Sequence, residues 1–214
     1  MKREVDINEI SDGKRYKSGD MVKISCNDCK GCKESCCYGM NKTIILDPYD
    51  MYQLQKGCNL SFDELLTKGY IELSVQDNLI IPNLKMNEAT NGCSFLAEGD
   101  RCSIHDFRPG FCRLFPLGRI YEDGHFDYFI QTGECDYPNK SKIKIKKWIG
   151  IDSLREYEEF VLRWHDYIEE LRLEISNISD VSQVSAISTG FLKRFYKDGY
   201  DINQSFFEQI YRYL

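Results

Sequence analysis

A chain of 214 residues is long enough to bury a core and to form one or two domains. Its 28 basic and 34 acidic residues leave a charge of −6, which argues against a general nucleic-acid binder. No stretch approaches the roughly eighteen consecutive apolar residues of a membrane span, and the opening MKREVDINEI lacks the apolar core of a secretory signal. The expected compartment is therefore the cytoplasm, with no membrane attachment.

Residues 1–25 are polar and mixed, and carry no pattern beyond a loop signal at Ser18-Gly19. Cysteines follow. Cys26 precedes the run Cys29-x-x-Cys32-x-x-x-Cys36-Cys37, in a Lys-, Gly- and Asn-rich segment expected to be mostly loop. Asp47-Pro48 then opens a helix, Asp as N-cap and Pro at the first helical position, with a stop expected near Gly57. Ser61 and Glu64 form a capping box for a short second helix ending at Gly69. Cys58 stands apart from the other thiols.

The period changes at residue 70. Ile71, Leu73 and Val75 alternate, Asp77-Asn78 reads as a turn, and Leu79-Ile80-Ile81 resumes before Pro82, which predicts a hairpin. Cys93, Cys102, Cys112 and Cys135 come singly. Glu122-Asp123-Gly124 predicts a second hairpin over 117–131. Lys140, Lys142, Lys144, Lys146 and Lys147 alternate with Ile143 and Ile145, so this segment reads as a strand with one wet face, guarded by lysine. A docking surface for an acidic partner or phosphate is the other reading.

From residue 152 the chain reads as helical. Leu154, Tyr157, Val161, Trp164, Ile168, Leu171 and Ile175 follow steps of 3 and 4, a heptad seam. It serves either as a core face or as a dimerising coiled coil. Two further helices are expected near 181–197 and 203–213, where Phe191, Phe195, Phe206, Phe207 and Ile210 could cover the seam. The fold class is α+β: a loop-rich cysteine region with short hairpins and helices over 1–150, then a helical extension over 151–214.

Ten cysteines in a reducing compartment point to metal rather than to disulfides. Cys-x-x-Cys pairs turn two sulfurs toward one metal. Zinc takes four ligands in a tetrahedron, and an iron–sulfur cluster takes four thiolates. Neighbouring side chains in extended backbone point to opposite sides, so Cys36 and Cys37 are expected to serve different metals or different irons. Arg108 and Arg113 can offset the charge of a thiolate-bound cluster, or simply form surface ion pairs. His105, three residues after Cys102, is within chelating reach, or is a hydrogen-bonded neighbour.

Several segments together resemble the YkgJ-type or CxxCxxCC cysteine-cluster family of zinc- or iron-chelating proteins. They are the Cys29–Cys37 run, Ile45-Leu46-Asp47-Pro48-Tyr49-Asp50, Cys93-Ser-Phe-Leu, Arg101-Cys102-Ser-Ile-His105, Arg108-Pro109-x-x-Cys112-Arg113-x-Phe115-Pro116 and Cys135. The resemblance implies eight metal-ligating cysteines: Cys29, Cys32, Cys36, Cys37, Cys93, Cys102, Cys112 and Cys135. A more distant likeness is to the flagellin lysine N-methylases, which implies an iron–sulfur protein transferring methyl groups to protein lysines. The three residues Lys33-Glu34-Ser35 before the vicinal pair resemble the methylase spacing, although the chain is short for a methylase. Cys26 completes a run spaced like that of bacterial ferredoxins, except that Cys37 replaces the following proline.

Two function classes follow. One is an iron–sulfur enzyme acting on an unknown protein or small-molecule substrate. The other is a zinc-binding structural or interaction module without turnover. No Gly-x-Gly-x-x-Gly fingerprint or phosphate-binding Gly-x-x-x-x-Gly-Lys-Ser/Thr loop is present.

Overall fold

The computed structural model describes residues 6–26, 37–97, 101–135 and 137–214. In chain order the first elements are α1 (Ile7–Ile10), β1 (Met21–Ser25), α2 (Pro48–Cys58), α3 (Phe62–Thr67), β2 (Ile71–Gln76) and β3 (Leu79–Leu84). Then come β4 (Leu96–Ala97), β5 (Arg101–Cys102), α4 (Gly110–Leu114), β6 (Leu117–Glu122), β7 (His125–Ile130) and β8 (Ser141–Lys144). The chain closes with α5 (Ile145–Ile149), α6 (Leu154–Ser176), α7 (Val181–Leu192) and α8 (Phe206–Ile210). The strands pair as antiparallel couples, β1 with β8, β2 with β3, β4 with β5 and β6 with β7. This is the expected α+β class. Among the described residues no helix is long and apolar enough to cross a membrane.

The contacts gather the chain into two units, each assembled from two stretches of sequence: Met1–Cys36 with Cys112–Arg155, and Cys37–Phe111 with Glu156–Leu214. In the first unit Val22, Ile24, Leu117, Tyr128, Ile145 and Ile149 form the core. β1 contributes because its residues alternate: Val22 and Ile24 are buried, Met21 and Lys23 exposed. The pairing Val22↔Ile143 then turns β8 the same way. The β6–β7 hairpin closes through Asp123 and Gly124, both at positive φ (49° and 72°), as a two-residue turn of matching twist requires. Gly118 must lack a side chain, since a Cβ there would lie 2.2 Å from the Phe129 ring.

The lysine strip divides in this unit. Lys142 and Lys144 are on β8, but the strand ends at Lys144, and Lys146 and Lys147 belong to α5. Burial decides it: Ile145 and Ile149, one helical turn apart, are almost fully buried together. Trp148 Nε1 anchors the helix by donating to the Phe115 carbonyl (3.1 Å).

In the second unit α2 starts as its sequence demands. Asp47 caps it, Asp50 returns the bond, and Pro48 occupies the first turn. The helix runs past Gly57 and ends at Asn59, which takes the left-handed conformation (φ 52°). Ser61 and Glu64 cap α3 reciprocally. The β2–β3 hairpin turns at Asp77 and Asn78, again both at positive φ.

Pro82 does not end β3 but lies within it. Leu46 N donates to Pro82 O and Leu84 N to Ile44 O, each at 3.0 Å. Residues 82 and 84 thus turn their backbone groups toward the 44–46 segment, and the N–H that proline lacks is lost there rather than from the ladder with β2.

Part of the α6 seam packs within the chain: Tyr157, Val161 and Ile175 are buried, while Trp164, Ile168 and Leu171 are half-buried. Trp164 stacks on Phe191 (5.8 Å) and meets Phe195 edge-on (5.0 Å). Phe160, which is off the heptad seam, is nonetheless fully buried against Tyr49, Phe206 and Phe207. The helix expected over 181–197 continues from α7 as a π turn over Lys193–Lys197, and the last helix is shorter than 203–213.

Candidate metal centre

Cys37, Cys93 and Cys102 come together in the second unit through short backbone pairings. Tyr38 bridges to Gly92, Gly39 N donates to Asn91 O (2.9 Å), and Cys93 N donates to Cys37 O (2.7 Å). These bonds lay residues 37–39 alongside 91–93. Gly92 fits because a Cβ there would already press on the Tyr38 ring at 3.0 Å. Beyond Cys93 the two-residue strands β4 and β5 pair Leu96 with Cys102. Ser103 N and Oγ both donate to the Phe95 carbonyl (2.9 Å each) and close this small hairpin. Phe95 is buried and stacks on Tyr70 at 4.6 Å, giving the corner an apolar floor.

Two of the thiols occupy the same local turn. In Cys93-Ser94-Phe95 the backbone N–H of Phe95 supports the sulfur, and in Cys102-Ser103-Ile104 the N–H of Ile104 does so. Each such N–H favours the thiolate. Burial works against it and is the larger effect at both. Burial, with Cys37 and Cys102 acting through space, pushes the Cys93 thiol up to about 11. The Cys102 thiol is also raised, by burial and by Cys37, and Arg108 opposes the rise. The three sulfurs are therefore close enough to repel one another as thiolates, in a place where a cation would relieve that repulsion.

Arg108 faces this group. It is half-buried, its Nη1 donates to His105 Nε2 (2.9 Å), and its Nε is buried without a hydrogen-bond partner. A guanidinium only donates, so His105 Nε2 is the acceptor. Arg113 is buried rather than on the surface, and its Nη1 donates to the Ile149 carbonyl at 3.5 Å.

Cys112, on α4, and Cys135, after β7, belong to the first unit, as does buried Cys26. Lys140 Nζ donates to the Cys135 carbonyl. Cys29, Cys32 and Cys36 lie outside the described residues, and with them the expectation that Cys36 and Cys37 face different metals. Cys58 is half-buried, and burial raises its thiol. Among the described residues no three Cys, His, Asp or Glu side chains are arranged to hold a metal ion by themselves.

The donor set fits a thiophilic metal: sheltered sulfurs, N–H groups directed at two of them, and a guanidinium nearby. Two supports escaped the sequence reading, the Tyr70–Phe95 stack and the repeated turn. The repeat was visible as Cys-Ser-Phe followed nine residues later by Cys-Ser-Ile.

These features define a cysteine-rich metal-chelating protein. The family model CxxCxxCC, described as "Putative zinc- or iron-chelating domain", matches residues 28–142, more than half of the chain, and the chain belongs to that family. No curated protein and no solved structure matches it.

Proposed function

We propose that the chain holds iron as an iron–sulfur cluster, or clusters, ligated by Cys29, Cys32, Cys36, Cys37, Cys93, Cys102, Cys112 and Cys135. The observation that carries this reading is the thiol corner, where Cys93 and Cys102 each open a turn of the same kind and each receives a backbone N–H. Hydrogen bonds to cluster sulfurs are among the means by which proteins tune such centres. Arg108 is the cofactor-facing cation of this reading, and Arg113 supports α4, which carries Cys112. When bound, the cluster supplies one-electron chemistry or an iron position for a substrate. Redox turnover or modification of a protein substrate, including the methyl transfer implied by the flagellin lysine N-methylase likeness, belongs to the same reading.

Anaerobic purification tests it, with iron, zinc and acid-labile sulfide measured on one sample beside its visible spectrum. Iron and sulfide in matching amounts with brown colour are expected, falling together in Cys93→Ala and Cys102→Ala. Stoichiometric zinc without sulfide, persisting after iron-replete expression, would overturn the cluster and leave a zinc-held module.

A further inference from the structure

The lysine strip acquires a new member when the chain folds. Lys23, more than a hundred residues earlier in sequence, is paired directly opposite Lys142, and Lys144 lies opposite Met21. Val22 and Ile143 turn into the core, so the other face of this two-stranded sheet shows Lys23, Lys142 and Lys144 with half-exposed Met21. Lys146 and Lys147, exposed on α5, continue the positive surface.

Like charges directly opposite one another on a sheet are unfavourable. Three exposed lysines elsewhere take partners, Lys17 with Asp127, Lys42 with Glu72 and Lys197 with Asp63, while Lys14, Lys68 and Lys193 stand singly among the described residues; what sets this face apart is that five unpaired lysines are gathered on it. Among the described residues none of the five lysines of this face forms an ion pair, although acidic residues exceed basic ones by six in the whole chain. Lys140 is separate, since its ammonium is bound to the Cys135 carbonyl.

We infer that this face, at the edge of β8, docks an extended acidic segment of a partner protein by strand addition. Among the described residues β8 pairs only with β1, which leaves its other edge as a template for a further strand. Side chains on one face of a strand repeat about every 6.7 Å. A peptide with carboxylates at alternating positions would therefore set them against Lys142 and Lys144 in register. The same lysines reject a second copy of this edge by like-charge repulsion.

Three features favour a protein segment over a polyanion. Among the described residues β1, β8 and α5 carry no arginine for bidentate phosphate contacts. The two strands carry no aromatic ring on which bases could stack, and the Trp148 indole of α5 is tied to the Phe115 carbonyl. The chain's overall charge of −6 repels a long polyanion, while a short segment feels chiefly the local field within a Debye length of about 8 Å. No cysteine takes part, so this inference stands or falls independently of the metal.

The test uses the full-length protein and a fluorescein-labelled peptide of alternating Glu and Thr, followed by fluorescence anisotropy. Saturable binding that weakens with salt is expected, with about tenfold lower affinity in the K142E/K144E variant and a smaller loss in K23E. Amide exchange should slow at Ser141–Lys144 when the peptide binds. The neutral K142Q/K144Q variant should weaken binding while the unfolding midpoint stays level or rises slightly, because it relieves the repulsion between Lys23 and Lys142. Absent binding, equal binding by all variants, or unprotected β8 amides would overturn the inference. So would tighter, lysine-dependent binding of a single-stranded oligonucleotide or of phosphatidylserine vesicles, which would assign the face to a polyanion instead.

Discussion

The aromatic interior around Phe160 and the thiol corner around Cys93 belong to one unit and are built in opposite ways. Phe160 is fully buried among Tyr49, Trp164, Phe206 and Phe207, with ring centroids 5.1–6.5 Å apart. That interior gains its stability by removing apolar surface from water and is complete as it stands. The corner rests on two-residue strands and a few backbone bonds, and gathers three thiols whose ionised forms repel. While the thiols keep their protons the corner carries no charge, and binding of a cation would take those protons off and offset the thiolate charge. The division also follows the family match. Residues 28–142 carry the thiols, whereas Phe160, Trp164, Phe191, Phe195, Phe206 and Phe207 lie beyond it. The helices past residue 142 thus add an aromatic core to a segment that already buries Leu46, Met51, Leu54, Leu65, Leu79 and Leu84 beside its thiols.

The largest effect expected from breaking this contrast is in the aromatic interior. Phe160→Ala should cost about 3–5 kcal/mol, read as a lower urea midpoint. The loss should be equal in metal-free and metal-loaded protein, and a loss confined to one of them would mean that the two interiors are coupled. Asp50→Ala should follow at about 3 kcal/mol. Asp50 is buried, closing the α2 cap through Asp47 N (3.2 Å) while accepting from Gly110 N (2.7 Å). Truncation leaves both donors unpaired. Gly110→Ala probes the same place, because its Cβ would lie 2.3 Å from the Tyr157 hydroxyl.

The parts legible in the sequence are those fixed by neighbours along the chain. Asp47-Pro48, Ser61-Glu64 and Asp77-Asn78 each specify their own cap or turn, and each formed where expected. The heptad seam identified α6 but missed Phe160, because a straight helix repeats every 3.6 residues and buries a wider stripe than a 3.5 repeat marks. What could not be seen was set at long range. β1 looked featureless because its partner β8 comes more than a hundred residues later. Lys146 and Lys147 continued the strand period, yet the burial of Ile145 and Ile149 made them helical. The family cysteines could be named from spacing and resemblance. That Cys37, Cys93 and Cys102 share a corner depends on the Tyr38–Gly92 bridge and the β4–β5 pairing, which no local pattern announces.

The thiol corner makes its own prediction in pH. Burial, the larger cause, and the neighbouring sulfurs raise the Cys93 thiol to about 11 from an ordinary value of 9.0. Between those values the folded metal-free protein keeps a proton that the unfolded chain has lost. This contribution to stability is therefore full below about 9 and declines as the pH rises toward about 11. The loss should reach roughly 2–3 kcal/mol across that window, measured by urea unfolding of metal-free protein. Cys93→Ala should make the decline shallower without abolishing it, because burial also raises the Cys102 thiol. Metal binding must displace the same proton, so apparent metal affinity should rise with pH, and a competition titration at two pH values checks the sign.

The smallest effect tests whether the core of the second unit is purely apolar. Ser188 on α7 is buried, and its hydroxyl accepts from Ile80 N at 2.7 Å. β3 thus has one backbone N–H satisfied by a helix rather than by a strand. Ser188→Ala removes the acceptor and leaves that N–H buried unless water reaches it, which should cost about 1 kcal/mol. Ser188→Thr keeps a hydroxyl but adds a methyl group to a packed site, and separates the bond from the packing. The metal content of both variants should match that of the parent protein. A loss of metal on removing this one hydroxyl would show that the hairpin transmits strain to Cys93 through Lys85, whose carbonyl accepts from Ser94 N at 3.0 Å. The contrast between the two interiors would then give way to a single cooperative core.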